Sequence, residues 1–244
     1  MNGSSRSIAI KKNIIASLFL KGISILVSLQ VVPLTINYIN PTRYGIWLTL
    51  SSIVAWLSYF DLGFAHGFRN RFAEAVAKGD MQLAREYVST TYVVLSLLFS
   101  SVFLIAIVVN HFVDWSAILN VDAAYSSELN IVFGILAFFF CLNIVASIFT
   151  TMLTANQKPA LASLIQTLGQ VFGFICIYIL TKTVPGNLDV LAFAFSGVPC
   201  FLLIIISIGM FLSGRYRHLS PSFHFVHFSL TKKIVGLGGQ FLLL

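Results

Sequence analysis

Charge is scarce in this chain: Asp, Glu, Lys and Arg make up 9% of its 244 residues. A soluble domain carries about a quarter of its residues as charges, so this chain has too little polar surface to stay dissolved as a monomer. Acidic residues are the scarcest, 8 against 15 Lys and Arg, and nowhere do two stand together as an acid/base pair would require. Cysteine is nearly absent. Cys141, Cys176 and Cys200 all fall within apolar stretches, which excludes a disulfide framework and leaves them as small packing residues. His218, His224 and His227 match no zinc spacing and have no accompanying Cys. No Walker loop, glycine-rich dinucleotide turn or nucleophile-base cluster occurs. Neither an enzyme, a metal nor a cofactor is expected from these residues.

Apolar residues are abundant, 58% of the chain with 23 Phe, and they come in six long stretches. These run from Asn13 to Ile39, Tyr44 to Ala65, Val88 to Val109, Leu129 to Thr154, Leu161 to Thr181 and Val190 to Ser213. Each has the ~20 residues that an α-helix needs to cross ~30 Å of hydrocarbon. The expected fold is therefore all-α: a polytopic transmembrane bundle, with a six-helix lobe over 1–213. A cytoplasmic connector is expected over 214–232, and 233–244 reads as the start of a seventh helix. The chain stops a few residues into that stretch, at Gln240 to Leu244, so it reads as the front part of a longer transporter; half a span leaves backbone groups that lipid cannot satisfy.

The basic residues give an orientation. With the N-terminus inside, twelve lie on the inner side: Arg6, Lys11, Lys12, Arg69, Arg71, Lys78, Arg85, Lys158, Arg215, Arg217, Lys232 and Lys233. Only Arg43 and Lys182 lie outside, beside an acidic loop from Asn110 to Glu128, and the positive-inside rule makes the N-terminus cytoplasmic. The net charge of +7 is thus accounted for by topology and anionic lipid rather than by nucleic acid. The first span is too long for a signal peptide and lacks a cleavage site. From Gly67 an interfacial helix is expected, with Phe68, Phe72 and Val76 on one face; Gly79 ends it and Asp80 caps the next.

Polar residues inside spans are costly against lipid and must face another helix or water. In the first span Ser17, Lys21, Ser24, Ser28 and Thr35 share one stripe. Asn143, Ser147, Thr150 or Thr151, and Thr154 repeat it in the fourth, and Ser163, Gln166, Thr167 and Gln170 in the fifth. Three such stripes suit a hydrated cavity. Ser and Thr also serve as packing residues, as does the small-xxx-small pair of Gly169 and Gly173. Asn143, Gln166 and Gln170 are larger and favour the cavity. Lys21 and Asp61, at similar depth on neighbouring helices, either pair or part, with Lys21 snorkelling and Asp61 capping the interfacial helix. Pro33 in the first helix, and Gly197 with Pro199 in the sixth, are hinges or fixed kinks.

Three runs are familiar: Tyr44-Gly45-Ile46-Trp47, Trp56-Leu57-Ser58-Tyr59-Phe60-Asp61-Leu62-Gly63 and Gly67-Phe68-Arg69-Asn70-Arg71-Phe72-Ala73-Glu74-Ala75. From about Lys12 to Ser89 the chain resembles the N-terminal region of bacterial O-antigen and polysaccharide flippases, the polysaccharide-transport branch of the multidrug/oligosaccharidyl-lipid/polysaccharide exporter superfamily. The resemblance implies two six-helix lobes around a central cavity, of which the first is present. It also implies alternating-access passage of undecaprenyl-diphosphate-linked oligosaccharide across the inner membrane, for surface polysaccharide synthesis. Membrane lipid, glycosyltransferases and a polysaccharide polymerase would be its partners. Lys21, Ser24, Ser28, Asn143, Gln166 and Gln170 are then the expected substrate path, and Asp61 the in-span carboxylate available for ion coupling. A small-molecule antiporter of the same superfamily and a non-transporting subunit of a polysaccharide-assembly complex are the alternatives.

Overall fold

The computed structural model describes residues 3–56 and 62–241, with side chains for 13–56 and 63–235. Among the described residues the secondary structure is helical, with nine α-helices and no strand. They are α1 (Gly3–Ile39), α2 (Pro41–Trp56), α3 (Leu62–Ala77), α4 (Met81–Phe112), α5 (Trp115–Leu119), α6 (Ser126–Ala155), α7 (Pro159–Thr183), α8 (Leu188–Leu212) and α9 (Ser229–Phe241). Five segments, within α1, α4, α7 and α8 and from Ala123 through α6, are long and apolar enough to cross a bilayer, which makes this a membrane protein. The expected second span, Tyr44 to Ala65, is divided between α2 and the first turn of α3; residues 57–61, including Asp61, lie outside the described residues.

Short polar punctuation sets the helix ends. Asn40, at φ 73, ends α1; its side-chain oxygen accepts from the Arg43 amide at 3.0 Å, and Pro41 opens α2. Gly79, at φ 76, ends the α3 turn, and Asp80 caps α4 by accepting from the Leu83 amide at 2.9 Å. Gln157, at φ 58, and Pro159 make the same kind of corner between α6 and α7. Asn187 caps α8 by accepting from Val190 N–H. These caps sit outside the apolar runs, which is why α4, α6, α7 and α8 begin two to seven residues before the stretches read from hydropathy.

Helix α1 packs along α7, α7 on α8, and α8 on α6, which in turn holds α4; α2 leans on α1 and α6. Two apolar clusters anchor the ends. One joins Phe68 and Phe72 of α3 to Phe149, Phe211 and Tyr216; the other joins Trp47 of α2 to Trp115, Leu129 and Phe133, with the Trp115 and Phe133 rings stacked at 4.6 Å.

At the first end, α3 and α9 form a shelf. Gly67 lies in the middle of α3 rather than at its start, because a side chain there would overlap the Ile234 carbonyl oxygen of α9. Leu230 and Ile234 bury one face of α9. The connector before α9 is tied down by buried hydroxyls of α4: Ser89 accepts from the Ser222 amide at 3.1 Å and Thr90 from the His227 amide at 3.0 Å. Arg85 donates to the Ser220 carbonyl at 2.9 Å and lies 4.2 Å from the Phe225 ring centre.

At the opposite end, Tyr38 donates to the Pro185 carbonyl, and Arg43 donates to the Gly186 carbonyl and to Glu128, holding the α1–α2 corner to the α7–α8 loop and α6. The acidic residues of the Asn110 to Glu128 segment have local work. Asp114 caps α5, accepting from the Ser116 and Ala117 amides; the Ser116 hydroxyl, which also donates to it, and these amides hold its carboxyl below the ordinary carboxylate range, the hydroxyl most strongly. Asp122 caps the turn at Ala123–Tyr125.

Candidate functional site

Four chambers that share lining residues lie along the bundle and are together termed the groove. Trp47, Asn143, Gln166, Gln170 and above all Pro199 belong to more than one of them. Nearest Arg43, a chamber of about 360 Å³ lies between Ser28 and Thr35 of α1, Tyr44 and Trp47 of α2, Gln170 of α7 and Phe195 of α8. A neighbouring one of about 270 Å³ lies between Trp47 and Ser51 of α2, Asn143 of α6 and Ser196 of α8. The middle chamber, about 240 Å³, is bounded by Asn143, Ser147 and Thr150 of α6 and Gln166, Gly169 and Gln170 of α7. Nearest the shelf, about 350 Å³ lies between His66 and Arg69 of α3, Thr151 and Thr154 of α6 and Ser163 and Gln166 of α7. The groove is aromatic at one end and changes to hydroxyl, amide and guanidinium at the other. Among the described residues no carboxylate lines it.

Helix periodicity explains the convergence. The stripes on α6 and α7 repeat at three and four residues, so each presents a polar edge on one side and an apolar surface elsewhere. On α6 the hydroxyls of Ser147, Thr150, Thr151 and Thr154 donate back to carbonyls three or four residues earlier, at 2.7 to 3.0 Å. Their remaining capacity is as acceptors. On α7 Gln166 and Gln170 are exposed, while Thr167 is buried and donates to the Leu20 carbonyl of α1 at 3.4 Å. Sequence periodicity therefore groups Thr167 with side chains that point elsewhere.

Pro199 shapes the junction. Its ring sits on Gly169 and Gly173, where a methyl at Gly169 would come within 3.2 Å of Pro199, so this small-xxx-small pair is a seat for the proline of α8. Gly197 receives the Phe139 ring, with 2.8 Å from a would-be Cβ to the ring tip.

Of the residues singled out by sequence, Ser28, Asn143, Gln166 and Gln170 border the groove. Ser24 donates to the Gln170 side chain, fixing α1 to α7 beside it. Lys21 lines none of the four chambers; it is exposed and has no hydrogen bond or ion pair among the described residues. Its expected neighbour Asp61 lies outside those residues. Sequence reading missed the aromatic wall, though Tyr44, Trp47, Ser51 and Val54 recur at helical spacing. It also missed His66, and Arg69 read as an ordinary polar position on an interfacial helix. At the Arg43 end, Asp189 has a buried carboxylate oxygen without a hydrogen-bond partner, as has the Arg43 Nε, close to the 3.4 Å contact of Arg43 with Glu128. The described residues hold no His/Cys/Asp/Glu group suited to a metal ion.

Compared with protein-family models, with curated proteins and with solved structures, the chain finds no match.

Proposed function

We propose that this chain supplies the groove of a flippase. The protein would pass an undecaprenyl-diphosphate-linked oligosaccharide across the bacterial inner membrane by alternating access, its N-terminus in the cytoplasm. The observation that carries the reading is the polar edge of the groove: Gln166 and Gln170 are exposed and Asn143 half-buried on helices otherwise suited to lipid. Amide side chains left against hydrocarbon cost several kcal/mol each, so such an edge needs water, a second lobe or a polar cargo over it. A sugar headgroup presents many hydroxyls that match amides as donor and acceptor, while the prenyl tail can remain in lipid. The inner placement of twelve basic residues supports the orientation, and the three motif runs support the family. A groove for cationic drugs would be expected to carry carboxylates. None lines it among the described residues, which favours the sugar carrier over the antiporter.

Complementation of a flippase-deficient strain tests the reading. The full-length protein should restore surface polysaccharide, and the Asn143→Leu/Gln166→Leu double variant, at equal membrane abundance, should restore much less. Failure of the unaltered protein would remove the function. Equal restoration by both would remove the groove from the path, and Lys21→Ala in parallel decides whether that exposed cation takes part.

A further inference from the structure

We propose that the chamber between α3, α6 and α7 is a binding site for a phosphate-type anion, with Arg69 as its principal ligand. It rests on the flippase reading only for the carrier's identity, a prenyl diphosphate whose sugars occupy the groove beyond. The chamber, about 350 Å³, accommodates a diphosphate, and among the described residues no carboxylate lines it.

Three neighbouring cations are already engaged. Arg71 contacts Glu74 at 3.0 Å and the Lys233 carbonyl at 3.4 Å; Lys78 contacts Glu74 at 2.7 Å; Lys158 donates to the Tyr216 hydroxyl at 2.9 Å. Arg69, two positions before Arg71 on α3, has no hydrogen bond or ion pair among the described residues and lines the chamber. A guanidinium presents a planar fork of N–H donors suited to two phosphate oxygens at once. Facing it, the Ser163 hydroxyl and the Gln166 amide also have no hydrogen-bond partner among the described residues, so both are free to donate. The Thr151 and Thr154 hydroxyls donate to their own helix instead, so the donors gather on the α3 and α7 walls. Pro159, Ala162 and Ser163 bring the first turn of the 25-residue α7 to the chamber wall. The helix dipole there adds positive potential to a site that already holds a guanidinium.

Calorimetric titration of the full-length protein in zwitterionic nanodiscs with geranyl diphosphate, and with geraniol, reads the site directly. Geranyl diphosphate should bind, and Arg69→Gln should weaken it about tenfold or more, as expected for a lost charge-assisted hydrogen bond. Arg71→Gln, whose partners lie outside the chamber, should change it less than about twofold. Should Arg69→Gln fail to fold, Ser163→Ala carries the test, with weakening of a few-fold expected. Unchanged affinity in the chamber variant, equal weakening by Arg71→Gln, or geraniol binding as tightly as its diphosphate would overturn the proposal. Repeating the titration in discs doped with phosphatidylglycerol distinguishes the sources. Lost affinity assigns the chamber to phospholipid headgroups, and retained affinity to the prenyl carrier; either supports an anion site. Binding by a protein that fails complementation would sink the transport reading and leave the site standing. Complementation with no binding would do the reverse.

Discussion

Substituting Gly67 by Ala should release α9 from α3. The added methyl would overlap the Ile234 carbonyl oxygen, and because that atom is backbone, the whole helix must retreat rather than a side chain rotate. Retreat exposes Leu230 and Ile234, which are 6% and 1% accessible. At about 1.5 to 3 kcal/mol for each buried aliphatic side chain, docking is weakened by up to about 3 to 6 kcal/mol. The Arg71 donation to the Lys233 carbonyl is lost as well. Hydrogen exchange of the α9 amides in nanodiscs measures the effect. Protection should fall by up to about 10² to 10⁴, since each 1.4 kcal/mol is tenfold. Amides of α4 and α6 should keep theirs. Gly45→Ala is the matched control, because a methyl at Gly45 meets nothing within 4 Å. If Gly67→Ala left α9 as protected as in the unaltered protein, the close helix crossing that defines the shelf would be wrong.

At the opposite end, Arg43→Gln and Glu128→Gln should each lower thermal stability. A double-mutant cycle should return a coupling near 1 kcal/mol, because both side chains are largely shielded, at 28% and 20% accessible; zero coupling would reduce the 3.4 Å contact to coincidence. Asp114 has its carboxyl held below its ordinary value of 3.8 by hydrogen bonds from Ser116 and Ala117. Its cap of α5 is therefore fully effective above 3.8 and fails as pH falls through the lower, folded value. Amide protection in α5 should decline in that acidic range, and Asp114→Asn, a cap without a titrating proton, should remove the decline.

Much of the fold is legible in the sequence because lipid leaves few alternatives: long apolar runs must be helices, and Asp80 marks where one of them begins. The amphipathic reading of Phe68, Phe72 and Val76 holds for the same reason, since the three turn one face to the protein. What escapes is whatever depends on a partner distant in sequence. Gly67 looks like a helix start until Ile234 is seen crossing it. Thr167 shares the spacing of Gln166 and Gln170, yet α1 covers it. Arg69 and Arg71 stand two positions apart in a run that resembles a family motif, and only the positions of Glu74 and the α9 backbone show that one is engaged and the other is not. Charge inside a span drew attention to Lys21, whereas the guanidinium bordering the groove comes from α3, where hydropathy gives no signal.

Pro199 carries a mechanical implication. A proline has no amide hydrogen, so the carbonyl of Phe195 one turn earlier loses its helical donor and α8 lacks a backbone hydrogen bond at this point. That point borders three of the four chambers and rests on two glycines. A displacement of the Pro199 ring would therefore change the shape of all three at once.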